Sequence, residues 1–196
     1  MVLDNLVESI LMSDIVSFDD YTYFINGIGD GFPSVDPKIL VEICNHITSH
    51  YNFRKINKIV GIEAMGIPIA VMLSYFTEIP YVIIRKRQYN IDGEVAVHKS
   101  TGYEESNLFI NDINEGDNIF LVDDIISTGG TLIEVINALK DMGVFIQDVV
   151  CVIGKNKGTY RVKEKTGITV DTIVYVGIDE FDKLLVERCS LWIVVI

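Results

Sequence analysis

Two adjacent carboxylates, Asp123 and Asp124, stand between an apolar run, Ile119-Phe120-Leu121-Val122, and a short stretch of hydroxyls and glycines, Ser127-Thr128-Gly129-Gly130-Thr131. Four apolar residues in succession read as a strand buried on both faces, with the acids at its carboxyl end. From Thr131 the residues Leu132, Ile133, Val135, Ile136 and Leu139 fall at helical spacing, up to Gly143. A strand–loop–helix turn of small residues points successive backbone N–H groups into one concavity, backed by the positive end of the helix dipole, and so forms a cradle for phosphate. Carboxylates beside it are wrong for phosphate but suit sugar hydroxyls or a hard cation such as Mg²⁺. The chemistry expected of the stretch is therefore that of a phosphorylated sugar, with phosphate in Ser127–Thr131 and hydroxyls on Asp123 and Asp124. The plainer alternative is a strand ending in a polar loop before a helix. The G-x-x-x-x-G-K-[ST] pattern of a P-loop is absent. Gly27-Ile28-Gly29-Asp30-Gly31 matches a dinucleotide loop only loosely, because no buried strand runs into it.

The elements that must position these groups follow from periodicity. Leu3, Leu6, Val7, Ile10 and Leu11 predict a short packed helix. Residues 18–35, with aromatics Phe18, Tyr21, Tyr23 and Phe24 and glycines to Pro33, read as a partly extended, irregular segment. Either it is a surface loop anchored by its aromatics, or it forms a hood over a flat ligand. Asp36-Pro37 opens a helix to about His50, with Asp as N-cap and Pro at N1. His46 and His50 lie four apart, but no Glu follows His46, so they read as surface histidines rather than zinc ligands. Ile56–Ile62 is a strand, Glu63-Ala64-Met65-Gly66 a tight loop, and Pro68 leads into a helix. Tyr81–Ile84 is a strand ended by Arg85-Lys86-Arg87, a cationic cluster that is either a binding group or a solvated strand end. Residues 88–106 look like a mobile two-stranded flap, with Asn107–Ile110 starting the returning strand. Ile146–Ile153 and Thr169–Val176 are further sheet strands, and Gly158–Thr166 a helix with Gly167 at its end. Leu184–Val186 and Leu191–Ile196 read as a terminal hairpin or an added edge strand. Alternating strands and helices predict an α/β fold with a mainly parallel sheet, whose ligands bind at the strands' carboxyl ends.

Bulk properties narrow the partners. At 196 residues and 49% hydrophobic composition, the chain predicts one domain, 1–196, with residues 1–35 as a small hood region. A formal net charge of −12 argues against a nucleic-acid binder. No apolar run approaches the ~18 residues that span a bilayer, and residues 1–12 lack a basic leader, so neither a membrane segment nor a signal peptide is expected. Three widely spaced cysteines, Cys44, Cys151 and Cys189, suit reduced thiols in a cytoplasm.

The residues carry a resemblance. Val122-Asp123-Asp124-Ile125-Ile126-Ser127-Thr128-Gly129-Gly130-Thr131 resembles the phosphoribosyl-pyrophosphate (PRPP) motif of type I phosphoribosyltransferases. Over residues 1–187 the chain also resembles the archaeal hypoxanthine/guanine phosphoribosyltransferases, a branch near adenine phosphoribosyltransferase. The matching strings are Tyr23-Phe24-Ile25 with Asp30-Gly31, Ile62-Glu63-Ala64-Met65-Gly66-Ile67-Pro68-Ile69-Ala70, Val82-Ile83-Ile84-Arg85-Lys86-Arg87, Gly93-Glu94-Val95 and Thr101-Gly102-Tyr103. The resemblance implies the type I phosphoribosyltransferase fold and a Mg²⁺-dependent homodimer that joins PRPP to a purine base, giving a nucleoside monophosphate and pyrophosphate. It implies catalytic roles for Asp123, Asp124 and Arg85, with the two aspartates on the ribose hydroxyls and available to Mg²⁺ carried by PRPP. Ser127, Thr128, Gly129, Gly130 and Thr131 would hold the 5-phosphate, and Glu63, Ala64, Met65, Gly66, Lys86 and Arg87 the pyrophosphate. Ile125 and Ile126 would form the floor under the base, with Phe24–Ile28 as hood and Phe24 and Ile25 among its base-binding residues.

Three departures bear on the roles. Met65 stands where adenine enzymes carry an arginine, Gly102 where their flap carries a glutamate, and Ser127 where mammalian-type hypoxanthine–guanine enzymes carry an aspartate that manages the purine N7 proton. Neither family's proton-handling residue transfers to this chain. Hypoxanthine or guanine is the base the resemblance favours. Adenine is the alternative, and a regulator that binds PRPP without turnover is a reading of a different class.

Overall fold

The computed structural model describes residues 3–18, 21–101, 104–179 and 183–188, with backbone alone for 17–18, 21–22, 99–101, 104–106 and 188. The residues 188–196, for which no role was assigned, lie outside it except for the backbone of Arg188, and so do Leu191–Ile196, Gly102 and Tyr103.

A six-stranded sheet carries the site. Its strands are β3 (Lys58–Ile62), β4 (Tyr81–Ile84), β7 (Asn118–Ile126), β8 (Phe145–Gly154), β9 (Asp171–Ile178) and β10 (Leu184–Arg188), in the order β10-β9-β8-β7-β3-β4. All neighbours are parallel except β10, which runs antiparallel on β9. Val186 and its neighbours thus form the added edge strand, one of the two outcomes expected of them. The type I phosphoribosyltransferase architecture expected from the resemblance is the one observed, a central, mainly parallel sheet with helices on both faces.

Strand alternation divides the core into two layers. Ile59, Phe120, Val122, Val150 and Val152 face helices α1 (Asp4–Leu11), α3 (Pro37–His50) and α4 (Gly66–Thr77) through Leu6, Ile10, Ile43, Ile47, Ile69 and Leu73. Val60, Ile62, Ile119, Leu121, Val149 and Cys151 face α5 (Gly130–Asp141) through Leu132, Val135, Ile136 and Leu139. The Asp36 side chain caps α3 by accepting from Lys38 N at 2.9 Å, with Pro37 in the first turn as expected.

Two expectations are corrected. The segment 18–35 is more regular than its aromatics and glycines suggested. Strands β1 (Asp14–Phe18) and β2 (Tyr21–Ile25) pair as an antiparallel hairpin, and a single helical turn, α2 (Gly27–Asp30), follows. Reciprocal capping explains the turn: Asn26 Oδ1 accepts from Ile28 N, while the Asp30 carboxylate accepts from Asn26 N at 2.8 Å. The two-stranded ribbon also extends beyond residue 106. Strands β5 (Val95–Thr101) and β6 (Glu104–Ile110) form a separate antiparallel pair, joined to the main sheet by an Arg85–Phe109 bridge. Its lower end is packed, since Val97, Leu108 and Ile110 are buried against the α5 layer. Among the described residues, no helix is long and apolar enough to cross a membrane.

Candidate active site at the carboxyl edge of the sheet

Four parallel strands deliver chemistry to one edge. β3 ends at the Glu63–Met65 turn, β4 at Arg85, β7 at Ser127 and β8 at Lys155. This common edge is where open α/β sheets bind their ligands.

Strand β7 runs through the acid pair to Ile126, so Asp123 and Asp124 are strand residues rather than the first residues of a loop. A strand holds a side chain more firmly than a loop does. Asp123 is only 9% exposed, and its Oδ1 accepts from Asp124 N at 3.0 Å. Burial raises the Asp124 carboxyl above its ordinary value, hydrogen bonds from Asp123 and nearby backbone N–H groups pull it back, and the charge of Asp30 adds to the rise. Beside Asp123, in register on β8, sits the buried Cys151, whose thiol is pushed up by burial and by both carboxylates.

The stretch after β7 forms the expected concavity. Asp123, Ile125, Ile126, Ser127, Thr128, Gly129, Gly130, Thr131 and Leu132 line a cavity of about 160 Å³ at the start of α5. Gly129 adopts φ +77°, and a Cβ there would lie 2.7 Å from Val162 and 2.9 Å from Gly158 O. The loop is buttressed by α6 (Gly158–Thr166) and the residues before it. Asn156 Nδ2 donates to Ser127 Oγ at 3.1 Å, Arg161 donates to Thr128 O at 3.3 Å, and a Cβ on Gly158 would collide with Ser127 O.

On the other side of the acids, Gly66 begins α4 so close that a Cβ would lie 3.1 Å from Asp123 Oδ1. The Glu63–Ala64 peptide is cis. Glu63 Oε2 accepts from Lys86 N at 2.9 Å and lies 3.5 Å from Arg85 Nε. Arg85 is thus paired with a carboxylate in this structure, whereas Lys86 and Arg87 are exposed, Arg87 lying 5.7 Å over the Tyr89 ring. The Met65 side chain reaches the hairpin region, because a Cβ on Gly31 would sit 3.5 Å from its sulfur.

Of the four residues expected around a base, Ile125 and Ile126 line one cavity, at the Ser127–Thr131 loop, while Phe24 lies in the core. Ile125 packs with the α2 side and Ile126 with the opposite core layer, the reverse of what alternation from Phe120 and Val122 would give. Phe24 is 1% exposed and belongs to the core, which leaves its backbone rather than its ring to face a ligand. Ile25 is partly exposed. Gly29 lies directly on Ile125, where a Cβ would clash with the isoleucine Cδ1.

A residue passed over in the sequence emerges here. Lys155 follows β8, is 8% exposed, and holds its ammonium 4.4 Å from the Phe24 ring centroid and 4.9 Å from that of Tyr23. Neither a hydrogen bond nor an ion pair joins that ammonium to any described residue. Burial lowers its pKa, and the charge of Asp30 opposes the change. Asp30 itself accepts from Tyr23 Oη at 2.6 Å. The only signal in the sequence was a lysine directly after a buried strand, at the edge where the other loops meet.

Comparison with known proteins agrees with this geometry. Residues 36–183 match the family model described as the phosphoribosyl transferase domain. The chain is 47% identical over 175 residues to the hypoxanthine/guanine phosphoribosyltransferase of Methanotorris igneus, covering 89% of this chain and 96% of that one. It is 50% identical over 173 residues to the enzyme of the same name from Methanobrevibacter ruminantium, covering 88% and 92%. Adenine phosphoribosyltransferase from Saccharomyces cerevisiae, solved with adenine and an imino-altritol bisphosphate, shares the fold at TM-score 0.72 and 20% identity, covering 87% of this chain and 99% of that one. The chain belongs to the type I phosphoribosyltransferase family, on the branch of the archaeal hypoxanthine/guanine enzymes.

Proposed function

We propose that the protein transfers a 5-phosphoribosyl group from PRPP to hypoxanthine or guanine, releasing pyrophosphate. The observation that carries the reading is the position of Asp123, held between the Ser127–Thr131 cradle and the Gly66 turn. In this reading the loop amides hold the 5-phosphate, Asp123 and Asp124 accept from the ribose hydroxyls, and the Glu63–Gly66 turn with Lys86 and Arg87 receives the pyrophosphate. Lys155 supports the choice of base. An ammonium with no hydrogen-bond partner among the described residues donates and cannot accept, so it favours a C6 oxo group over an amino group.

Displacement at the anomeric carbon passes through a cationic ribose, which demands orientation, leaving-group stabilisation and a dry site more than a strong base. Arg85, Lys86 and Arg87 offset the charge of departing pyrophosphate, and residues 88–106 close to exclude water. The donor set fits Mg²⁺ carried by the substrate. Asp123 and Asp124 are hard oxygen donors, and no cluster of three or more ligating side chains occurs among the described residues, so PRPP oxygens would supply the rest. When bound, Mg²⁺ neutralises pyrophosphate charge. The enzyme acts in the cytoplasm as a homodimer; exposed Val71, Tyr75 and Phe76 on α4 and Tyr81 at the β4 edge offer apolar surface for the second copy.

The test is pyrophosphate release from PRPP and Mg²⁺ with hypoxanthine, guanine, adenine and xanthine in turn. Turnover with hypoxanthine or guanine is expected. Turnover with adenine alone moves the protein to the neighbouring specificity, and PRPP binding without consumption of any base replaces the enzyme reading with an effector-binding one.

A further inference from the structure

The cationic segment Lys86–Asn90 hangs between two carboxylates. At its start, Glu63 accepts from Lys86 N at 2.9 Å. At its end, Glu94 accepts from Tyr89 N at 2.9 Å and from Asn90 N at 3.0 Å, one bond on each carboxylate oxygen. Every described backbone hydrogen bond of the segment ends on one of these two side chains. The chain can double back to make the second clamp because Asn90 and Gly93 adopt φ +56° and +82°, and Glu94 N closes the turn on Ile91 O at 3.2 Å.

Glu94 also reaches a third segment. Asn111, directly after β6, donates through Nδ2 to Glu94 Oε2 at 3.1 Å. One carboxylate therefore ties together the exit from β4, the start of β5 and the end of β6. Desolvation pushes its pKa up, but the bonds from Tyr89, Asn111, Asn90 and Gln88 outweigh it and leave it below the usual carboxylate range. Among the described residues, no other carboxylate at the base of the ribbon accepts from donors at both of its ends.

We propose that Glu94 is a positioning residue for pyrophosphate recognition, holding the Lys86–Arg87 cations over the turn at Glu63–Gly66 and fixing the base of the β5–β6 ribbon from which it closes. The inference rests on the phosphoribosyl-transfer reading. Lys86 and Arg87 are exposed side chains, and for such groups a fixed backbone is what converts charge into a directed contact. Glu94 touches no reacting atom; it acts through the segment it holds.

The consequence is selective. Glu94→Gln keeps the size but leaves one oxygen, and its amide nitrogen opposes one of the two backbone N–H donors. In the full chain, KM for PRPP, and for pyrophosphate in the reverse direction, should rise by about tenfold. KM for the nucleoside monophosphate, which engages only the 5-phosphate and base sites, should stay within about twofold. Asn111→Ala, which removes only the bond from β6, should show the same pattern to a smaller degree. KM values that stay unchanged, or that rise together for all substrates, would overturn the proposal. If Glu94→Gln does not fold, the Asn111→Ala pattern decides by the same criterion. If the wild-type protein turns over no purine, the transfer reading fails on its own. Calorimetric binding of Mg²⁺-pyrophosphate then decides, with equal affinity of wild type and Glu94→Gln counting against the role of Glu94.

Discussion

Gly66 presses against Asp123: a Cβ on the glycine would lie 3.1 Å from the carboxylate Oδ1 and 3.2 Å from Val122 O. The turn after β3 and the acid pair of β7 therefore share one boundary, and the glycine belongs to both. Gly66 is the first residue of α4 after the Met65 N-cap, where helix propensity differs little, so Gly66→Ala tests chiefly the contact with Asp123. The expected result is a melting temperature at most modestly lowered, with kcat/KM for PRPP lowered by at least about tenfold as Asp123 is displaced. Unchanged kinetics would show that the contact does not position the carboxylate.

Gly129 makes the opposite case. Its φ of +77° disfavours any side chain, and a Cβ would meet Val162 at 2.7 Å. Gly129→Ala should cost about 1–3 kcal/mol of stability and weaken PRPP binding together, measured by denaturant unfolding and by calorimetry. Loss of binding with stability intact would mean that the loop is not braced by α6.

Asp124 predicts a pH dependence with a definite sign. Its carboxyl is raised, chiefly by burial, with Asp30 adding to the rise. A raised acid binds its proton more tightly in the folded state, so its contribution to stability is present at low pH and lost as pH rises through the folded value. Asp124→Asn should therefore raise the melting temperature at pH 7, with the gain vanishing toward acid pH, while turnover falls by about a hundredfold or more. Activity needs the ionised form, so its acid limb should lie above the ordinary aspartate value near about 4. Asp30→Asn should shift that limb to lower pH. A limb that stays in place would remove Asp30 from the field acting on Asp124.

The sheet, its helices and three of the four site loops were legible in the sequence because each follows from a local signal. An apolar run marks a buried strand, Asp36-Pro37 marks a helix start, and Val122–Thr131 joins strand, acids and cradle in ten consecutive residues. What escaped depends on pairing across the chain. The hairpin of residues 14–25 has no turn glycine between its strands, and its aromatics gave no clean alternation. Ile125 and Ile126 are adjacent in sequence and line one cavity, but a strand that continues past Asp124 packs them into different core layers, which their apolar character alone did not show. Arg85 looked like a free cation until Glu63, 22 residues earlier, was placed beside it. Lys155 offered only its place directly after a buried strand, since its significance lies in the Tyr23 and Phe24 rings its ammonium sits over.

That lysine yields the most discriminating substitution. Its side chain lies largely buried with the ammonium over two rings, and desolvation lowers its pKa, so holding the charge there costs the folded state stability. Lys155→Met keeps the length of the side chain and removes the charge, and the melting temperature should hold or rise. If the ammonium donates to the C6 oxygen of the base, kcat/KM for hypoxanthine and guanine should fall by about a hundredfold, with KM for PRPP changed by less than about threefold. Lys155→Arg should not restore activity, because a planar guanidinium does not reproduce the compact point charge that the ammonium presents over the rings. Steady-state kinetics with base and PRPP varied separately, together with a melting curve for each variant, would decide it. A Lys155→Met protein that uses hypoxanthine as well as the wild type would leave base choice to the backbone of the hairpin and to the ribbon above it.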